Sequence, residues 1–509
     1  MKLLLIIPPK PKSIKARWFL REERHTAEDD TPVIPYMVAS ILGMLRREIG
    51  GINLKVIDAM LENLSPDAIY SRVTSFSPDI IITILSANHL GEKEERFCAE
   101  LPFLTISIIT PTSTNSKEAV DMYKLKSKFF LNTDETELTI TNAVKEFIRT
   151  GDINDTAGLI INDHGKIGFT GTPEYSDMER YPMPAFDLLS CRQYIELQKG
   201  IISRYGRGRT TIINPCKGCD YHCIFCVVGK DIYRGRQKNP QQIFDEIKYL
   251  YENLGIQRFV FINGIFGINL ENAKELCRMI INSKITISFL INNRIEFVDE
   301  ELLQLLKLAN CEVVRYGLET ADPNLQLGIN KNLNLERTEK IINLTKKYGI
   351  KVHLYMITGL PGETRESLRK NAQFVLKTKP DWVYWGILFP ELGSPFYDYL
   401  KTNNLLVEQD WSWYRKTDKL CFKHSTYSSI NDIKKANLWM QNLYRKGLLC
   451  DSALSSIKKL SYLIKYCASE FNLLTWDFTH RYKFTRDLEE FFAGKLSLLL
   501  KRFSSSDIL

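Results

Sequence analysis

The spacing of apolar residues changes period along the chain, and the changes mark out its parts. Residues 2–7 form an almost unbroken apolar run, the pattern of a strand buried on both faces. Over 35–47 the apolar residues Met37, Ile41, Leu42 and Leu45 return at helical spacing. Residues 54–57 read as a second strand, Ser65-Pro66-Asp67 as a capped helix start, and 80–85 and 104–109 as two further strands. A helix over 137–149 closes the segment. Alternation of this kind predicts an α/β fold over residues 1–150, a doubly wound Rossmann-like domain with a parallel sheet.

The pattern then thins. Residues 151–207 read as a linker with a small hairpin, strands at 159–162 and 166–169 around Asp163-His164-Gly165, followed by the extended run Tyr181-Pro182-Met183-Pro184. From 208 to 402 strand and helix signals alternate six times. Strands are expected at 210–214, 258–263, 286–291, 311–317, 351–358 and 382–389, and helices near 240–252, 270–281, 299–308, 335–348, 365–377 and 395–401. Six such units predict a partial (β/α)6 barrel, whose chemistry belongs at the C-terminal ends of its strands. Residues 403–509 become mostly helical and aromatic, with Trp411, Trp413, Trp439, Trp476 and several tyrosines.

Composition changes this picture little. The chain has 509 residues, 44% hydrophobic and 25% charged, as globular proteins do. No stretch is apolar enough to span a bilayer, and the first residues run into Pro8-Pro9 without a cleavage site, so a cytoplasmic location is expected. The net charge is +8, and residues 401–509 carry 18 Lys and Arg against 11 Asp and Glu, an excess of 7. That basic, aromatic stretch suits a helical cap over the barrel mouth, or peripheral contact with an anionic membrane. No nucleic-acid recognition module is present, and none is expected as partner.

The cysteines alter the reading most. Four of the eleven stand between 216 and 226: Cys216-Lys-Gly-Cys219-Asp-Tyr-His-Cys223-Ile-Phe-Cys226. Cys219, Cys223 and Cys226 make C-x3-C-x2-C, a spacing that lets three thiolates on one loop bind three irons of a cubane and leave the fourth open. Two C-x2-C pairs are also present, but structural zinc sites separate such pairs by about a dozen residues or more. A redox disulfide, and a cluster closed by Cys216 as a fourth ligand, are the other readings. Cys216 reads instead as a small buried residue, and His222 as an exposed loop residue.

Motifs further on follow the right strands. Phe225 precedes the last cysteine; Asn263-Gly264 ends the second barrel strand; Gly317-Leu318-Glu319-Thr320 ends the fourth; Gly359-Leu-Pro-Gly362-Glu363-Thr364 ends the fifth; Pro390-Glu-Leu-Gly393-Ser394-Pro395 follows the sixth. With the cysteines, this order resembles the radical S-adenosylmethionine superfamily. The resemblance implies a [4Fe-4S] cluster on Cys219, Cys223 and Cys226. It places Phe225 and the turn at Gly359 and Gly362 near adenine, Glu319 near the ribose or methionine, and Asn263 with Gly264 near the methionine amino group. Arg294, after the third strand, reads as a carboxylate partner or as a surface arginine.

Residues 1–150, with Tyr181-Pro-Met-Pro-Ala-Phe-Asp187 leading into the barrel, resemble the cobalamin-binding branch of that superfamily. The likeness covers about residues 1–400. The domain has no D-x-H-x-x-G. It reads Thr110-Pro-Thr-Ser and Asn132-Thr-Asp134-Glu135-Thr-Glu137 where the branch carries glycines that let backbone approach a cofactor. Three functions follow as expectations. The first is cobalamin-assisted methyl transfer to an unactivated carbon of a lipid, tetrapyrrole or natural product. The second is a cobalamin-independent cyclase, coupling enzyme or oxidoreductase. The third is a non-catalytic Fe–S or zinc protein. An electron donor such as flavodoxin or ferredoxin is implied for either enzyme.

Overall fold

The computed structural model describes residues 1–9, 33–86, 101–110, 127–131, 135–198, 209–229, 235–262, 264–407 and 420–449. The expectations on Asn263, on residues 111–116 and 132–134, and on the aromatic residues 411–414 and beyond 449 lie outside the described residues. No helix among the described residues is long and apolar enough to cross a membrane.

The first sheet begins at β1 (Lys2–Ile7), where Leu3 through Ile7 are fully buried. Helix α1 (Tyr36–Glu48), β2 (Asn53–Asp58), α2 (Pro66–Phe76), β3 (Ile80–Ser86), β4 (Leu104–Thr110), β5 (Phe129–Leu131) and α3 (Thr136–Thr150) follow. Ser65 starts α2, its Oγ accepting from the Ala68 amide, and Gly151 ends α3 in the left-handed region at φ +80°. The strands lie in the order β2-β1-β3-β4-β5, all parallel. This is a doubly wound order, with its topological switch between β1 and β3. The hairpin, β6 (Leu159–Asp163) and β7 (Lys166–Phe169), is not free in a linker: β6 pairs antiparallel with β5 and brings the sheet to seven strands. Its apolar residues Leu159 and Ile160 are fully buried there, which is why the pairing holds. At three residues, β5 is too short to show a period.

A short helix α4 (Cys191–Leu197), absent from the expected elements, leads to the second sheet. There β8 (Thr210–Ile213) is followed by the two-residue strands β9 (Cys216–Lys217) and β10 (Arg236–Gln237). Next come α5 (Pro240–Leu254), β11 (Arg258–Phe261), α6 (Leu270–Asn282), β12 (Ser288–Asn293), α7 (Glu300–Leu308) and β13 (Cys311–Glu319). Then α8 (Pro323–Gly328), α9 (Leu335–Lys347), β14 (Lys351–Thr358), α10 (Arg365–Thr378), β15 (Trp382–Ile387), α11 (Pro395–Thr402) and α12 (Ile430–Leu449) complete the described elements. Six parallel strands lie in the order β15-β14-β13-β12-β11-β8. The end strands β8 and β15 do not pair, so the barrel is partial. Helix α12 covers its far side, with Met440 buried against Leu368 and Ala372 of α10.

Helix α1 belongs to both sheets. Val38, Ile41, Leu42 and Leu45 pack in the first core, while Tyr36 and Ala39 pack in the second. Gly43 lets the 181–187 connection cross α1 closely: a Cβ there would stand 2.5 Å from the Met183 carbonyl. Polar groups close the seam around it. The Tyr36 hydroxyl donates to Glu246 Oε2 at 2.6 Å and accepts from Lys238 Nζ at 2.9 Å, and Lys238 is ion-paired with Glu246. Tyr194 donates to Asp58 Oδ2 at 2.6 Å, and burial raises the Asp58 carboxyl above its ordinary range. Lys238→Met leaves Glu246 buried without its cation. We expect a loss of about 3–5 kcal/mol, read as a lower urea midpoint, and substantial recovery when Glu246→Leu is added.

Candidate metal and cofactor centre

The cysteine loop leaves the barrel at the end of β8 and is tied down at its base. Strands β9 and β10 pair antiparallel, Lys217 opposite Arg236. Lys217 is ion-paired with Glu137 and Arg236 with Glu135, both at the N-terminal end of α3. Burial alone would raise the Glu137 carboxyl, but Lys217 and a bond from Ser40 Oγ at 2.8 Å hold it below its usual range. Tyr181 adds a bond to Glu135 Oε2 at 2.8 Å. Above this base the loop is pinned by backbone. Ile224 N donates to Ile329 O at 3.1 Å, Phe396 N to Ile224 O at 2.9 Å, and Cys226 N to Cys223 O at 3.0 Å.

Cys223 is buried, Cys219 and Cys226 are partly exposed, and none is in a disulfide. Burial pushes the Cys219 thiol up to about 11. It raises Cys223 too, with the charges of Lys331 and Arg294 pulling the other way. Arg294 is not a surface residue: it is 8% exposed, with Nη1 3.7 Å from Cys223 Sγ. Cys216 is buried as expected, its thiol 3.8 Å from Ile265 O and pushed up to about 12. Gly264 has φ +98°, and a Cβ on it would lie 2.7 Å from Cys216 Cβ, so position 264 has no room for a side chain. His222 is exposed, and its carbonyl accepts from Asn330 Nδ2 at 2.9 Å.

Strand ends bring further groups to the same rim. Strand β13 runs two residues beyond the expected 317 and breaks register between Gly317 and Glu319. Glu319 there adopts φ +64°, rare for a non-glycine residue. Gln326 Nε2 holds the backbone by binding Leu318 O at 2.7 Å and Thr320 O at 2.6 Å. The Glu319 carboxylate turns to Lys331 Nζ at 2.7 Å, both side chains buried. Phe225 packs with Ile357, Leu360 and Phe389 against one apolar cluster, so the loop, the Gly359–Gly362 turn and the end of β15 meet. Ser394 starts α11, its Oγ accepting from the Tyr397 amide at 3.1 Å.

The Gly359 turn carries residues that the motif reading did not weigh. The Glu363 side chain is fully buried and accepts from Gly359 N at 3.0 Å and from Tyr427 Oη, while its Oε2 has no partner. Burial pushes its carboxyl up to about 7. His424 Nδ1 accepts from Thr426 N at 2.9 Å, which leaves Nε2 to donate to Gly359 O at 2.9 Å. Asn214 and Asn292 each keep a buried side-chain oxygen without a bond, on the same face of the second sheet. Lys331, Tyr427 and His424 lie outside any recognisable motif, so only their contacts reveal them.

The donor set suits an iron–sulfur cubane: three free thiols from one loop, with cations beside them to offset thiolate charge. Among the described residues no three His, Cys, Asp or Glu side chains converge on one point, as a single ion requires. A cubane asks less convergence, one thiolate for each of three irons.

Residues 213–375 match the family model of the Radical SAM superfamily. An uncharacterised methyltransferase of Pyrococcus horikoshii is 24% identical over 438 residues, 85% of this chain and 90% of the relative. An anaerobic magnesium-protoporphyrin IX monomethyl ester cyclase of Rubrivivax gelatinosus is 26% identical over 394 residues, 72% of this chain and 68% of the relative. The radical S-adenosylmethionine methyltransferase TsrM of Kitasatospora setae, solved with cobalamin and a [4Fe-4S] cluster, shares the fold. Its TM-score is 0.61 at 18% identity, covering 79% of this chain and 75% of that one.

Glu363 makes stability depend on pH. Its carboxyl, near 4.3 when unfolded and raised to about 7 when folded, binds its proton more tightly in the native state. That contribution is complete below the unfolded value and is lost as pH rises through about 7. In chemical unfolding across this window, Glu363→Gln is expected to lose less stability with rising pH than the parent chain. Parallel pH profiles for the two would show the carboxyl to be unperturbed.

Proposed function

On a chain that carries a radical SAM domain over residues 213–375, we propose that Cys219, Cys223 and Cys226 hold a [4Fe-4S] cluster and that the enzyme transfers a methyl group. The observation that carries this reading is the meeting of the cysteine loop with the Gly359 turn and the end of β15 in one apolar cluster around Phe225. When bound, the reduced cluster supplies the electron that breaks a carbon–sulfur bond of S-adenosylmethionine, yielding a 5′-deoxyadenosyl radical that removes hydrogen from an unactivated carbon.

The chain's own residues bind and orient the co-substrate. Phe225 offers adenine an aromatic face, and the Gly359–Gly362 turn brings backbone close to it. Glu319 accepts from ribose or methionine donors, its free rotation removed by Lys331. Asn263 and Gly264 serve the amino group. The unbonded oxygens of Asn214 and Asn292 suit further donors from a bound molecule.

The first sheet is the proposed cobalamin domain. Its β2-β1-β3-β4-β5 order puts a switch point between β1 and β3, where doubly wound sheets bind ligands, and its fold is shared with the cobalamin-bearing TsrM. The methyl acceptor is then a lipid, tetrapyrrole or other small molecule, with flavodoxin or ferredoxin as reductant in the cytoplasm. A second reading, ring closure or oxidation without methyl transfer, is supported by the likeness to a chain named as a cyclase.

Anaerobic purification with iron and sulfide tests the proposal. We expect about four irons per chain and reductive cleavage of S-adenosylmethionine, both lost in Cys219→Ala, Cys223→Ala and Cys226→Ala and kept in Cys216→Ala. Cys219→Ala with full iron and full cleavage would sink the assignment. Corrinoid co-eluting after incubation with hydroxocobalamin favours methyl transfer; a corrinoid-free, active enzyme favours the second reading.

A further inference from the structure

Arg294 is more elaborately held than a loop arginine requires. It stands one residue past β12, and its guanidinium serves three partners on three segments. Nη1 faces Cys223 Sγ at 3.7 Å, while Nη2 binds Glu296 Oε1 at 2.6 Å and Lys331 O at 3.2 Å. The guanidinium carbon lies 3.5 Å from the centroid of the Tyr221 ring, and Tyr221 meets Phe297 edge-on at 5.9 Å. A planar fork stacked in this way keeps one orientation, which a flexible ammonium would not.

The two cations near Cys223 are not equivalent. Lys331 gives its ammonium to the buried Glu319 carboxylate. Arg294 has Glu296 as counter-charge, but that side chain is 33% exposed, so solvent shares it. Of the two cations, Arg294 is thus the less fully compensated within the protein, and its Nη1 is the one aimed at a sulfur.

We propose that Arg294 is a positioning residue that raises the reduction potential of the cluster by donating a charge-assisted hydrogen bond to the Cys223 thiolate. The inference rests on the cluster reading above. Adding an electron makes the centre more negative, and a fixed donor at a ligand sulfur stabilises that form more than the oxidised one. The bond also ties the cluster to the co-substrate side of the rim, because the Lys331 that Arg294 grips through its carbonyl is the residue that holds Glu319.

Reconstituted parent, Arg294→Gln, Arg294→Lys and Glu296→Gln proteins are compared by iron and sulfide content and by redox titration followed by electron paramagnetic resonance. With iron content unchanged, Arg294→Gln is expected to lower the reduced-to-oxidised ratio about tenfold at a fixed potential, a shift of about 59 mV for one electron. Arg294→Lys should keep more of the parent potential. Glu296→Gln, which frees Arg294 from its counter-charge, should shift the potential upward. An unchanged potential in a fully loaded Arg294→Gln protein overturns the proposal. If that variant loses iron, Glu296→Gln decides, and an unmoved potential there overturns it equally. A parent chain that takes up no cluster overturns the cluster reading instead.

Discussion

Everything at the candidate site hangs from a buried acid–base seam. Glu135 and Glu137 begin α3 in the first sheet, and they pair with Arg236 and Lys217, the two strands' worth of backbone from which the cysteine loop rises. Carboxylates buried this deeply are tolerated only with cations and donors around them, and here Lys217, Arg236, Ser40 and Tyr181 supply both. The loop's base therefore cannot shift without exposing or orphaning charge. A second set, Tyr36 with Lys238 and Glu246, locks the same joint from α1. The cysteines thus stand on a foundation that both sheets share.

Above that foundation the rim is organised by charge compensation. Lys331 neutralises Glu319, Arg294 stands between Cys223 and Glu296, and burial raises the Glu363 carboxyl to about 7. Three carboxylates are handled in three ways: a buried ion pair, a pair whose carboxylate is partly exposed, and burial that raises the carboxyl pKa. Each outcome follows from how far solvent or a cation can approach. The strained backbone at Glu319 belongs to the same arrangement, since Gln326 fixes the strand end and leaves the carboxylate directed at Lys331.

Much of this was legible in the amino-acid order. Periodicity located most strands of both sheets, because strands buried on both faces are written as apolar runs, as at Lys2–Ile7. Local spacing also singled out Cys219, Cys223 and Cys226, and the family resemblance pointed to the glycines at 264, 359 and 362, which adopt positive φ. Short or polar features were not legible. β5 has only three residues, α4 only seven, and the 159–169 hairpin carried no sign of which sheet it would join.

What the sequence determined by itself is local: which residues alternate, which turns need glycine, and which thiols share one loop. Those properties depend on neighbours a few positions apart. The tertiary structure decided how charges distant in the chain meet. Arg294 reaches Cys223 across 71 positions, Lys217 reaches Glu137 across 80, and Tyr36 reaches Glu246 across 210. Pairings of that separation leave no periodic trace, because they are set by strand order and burial rather than by spacing. For that reason the contact of Arg294 with Cys223 is not readable along the chain, and only the folded structure turns the guanidinium toward that sulfur.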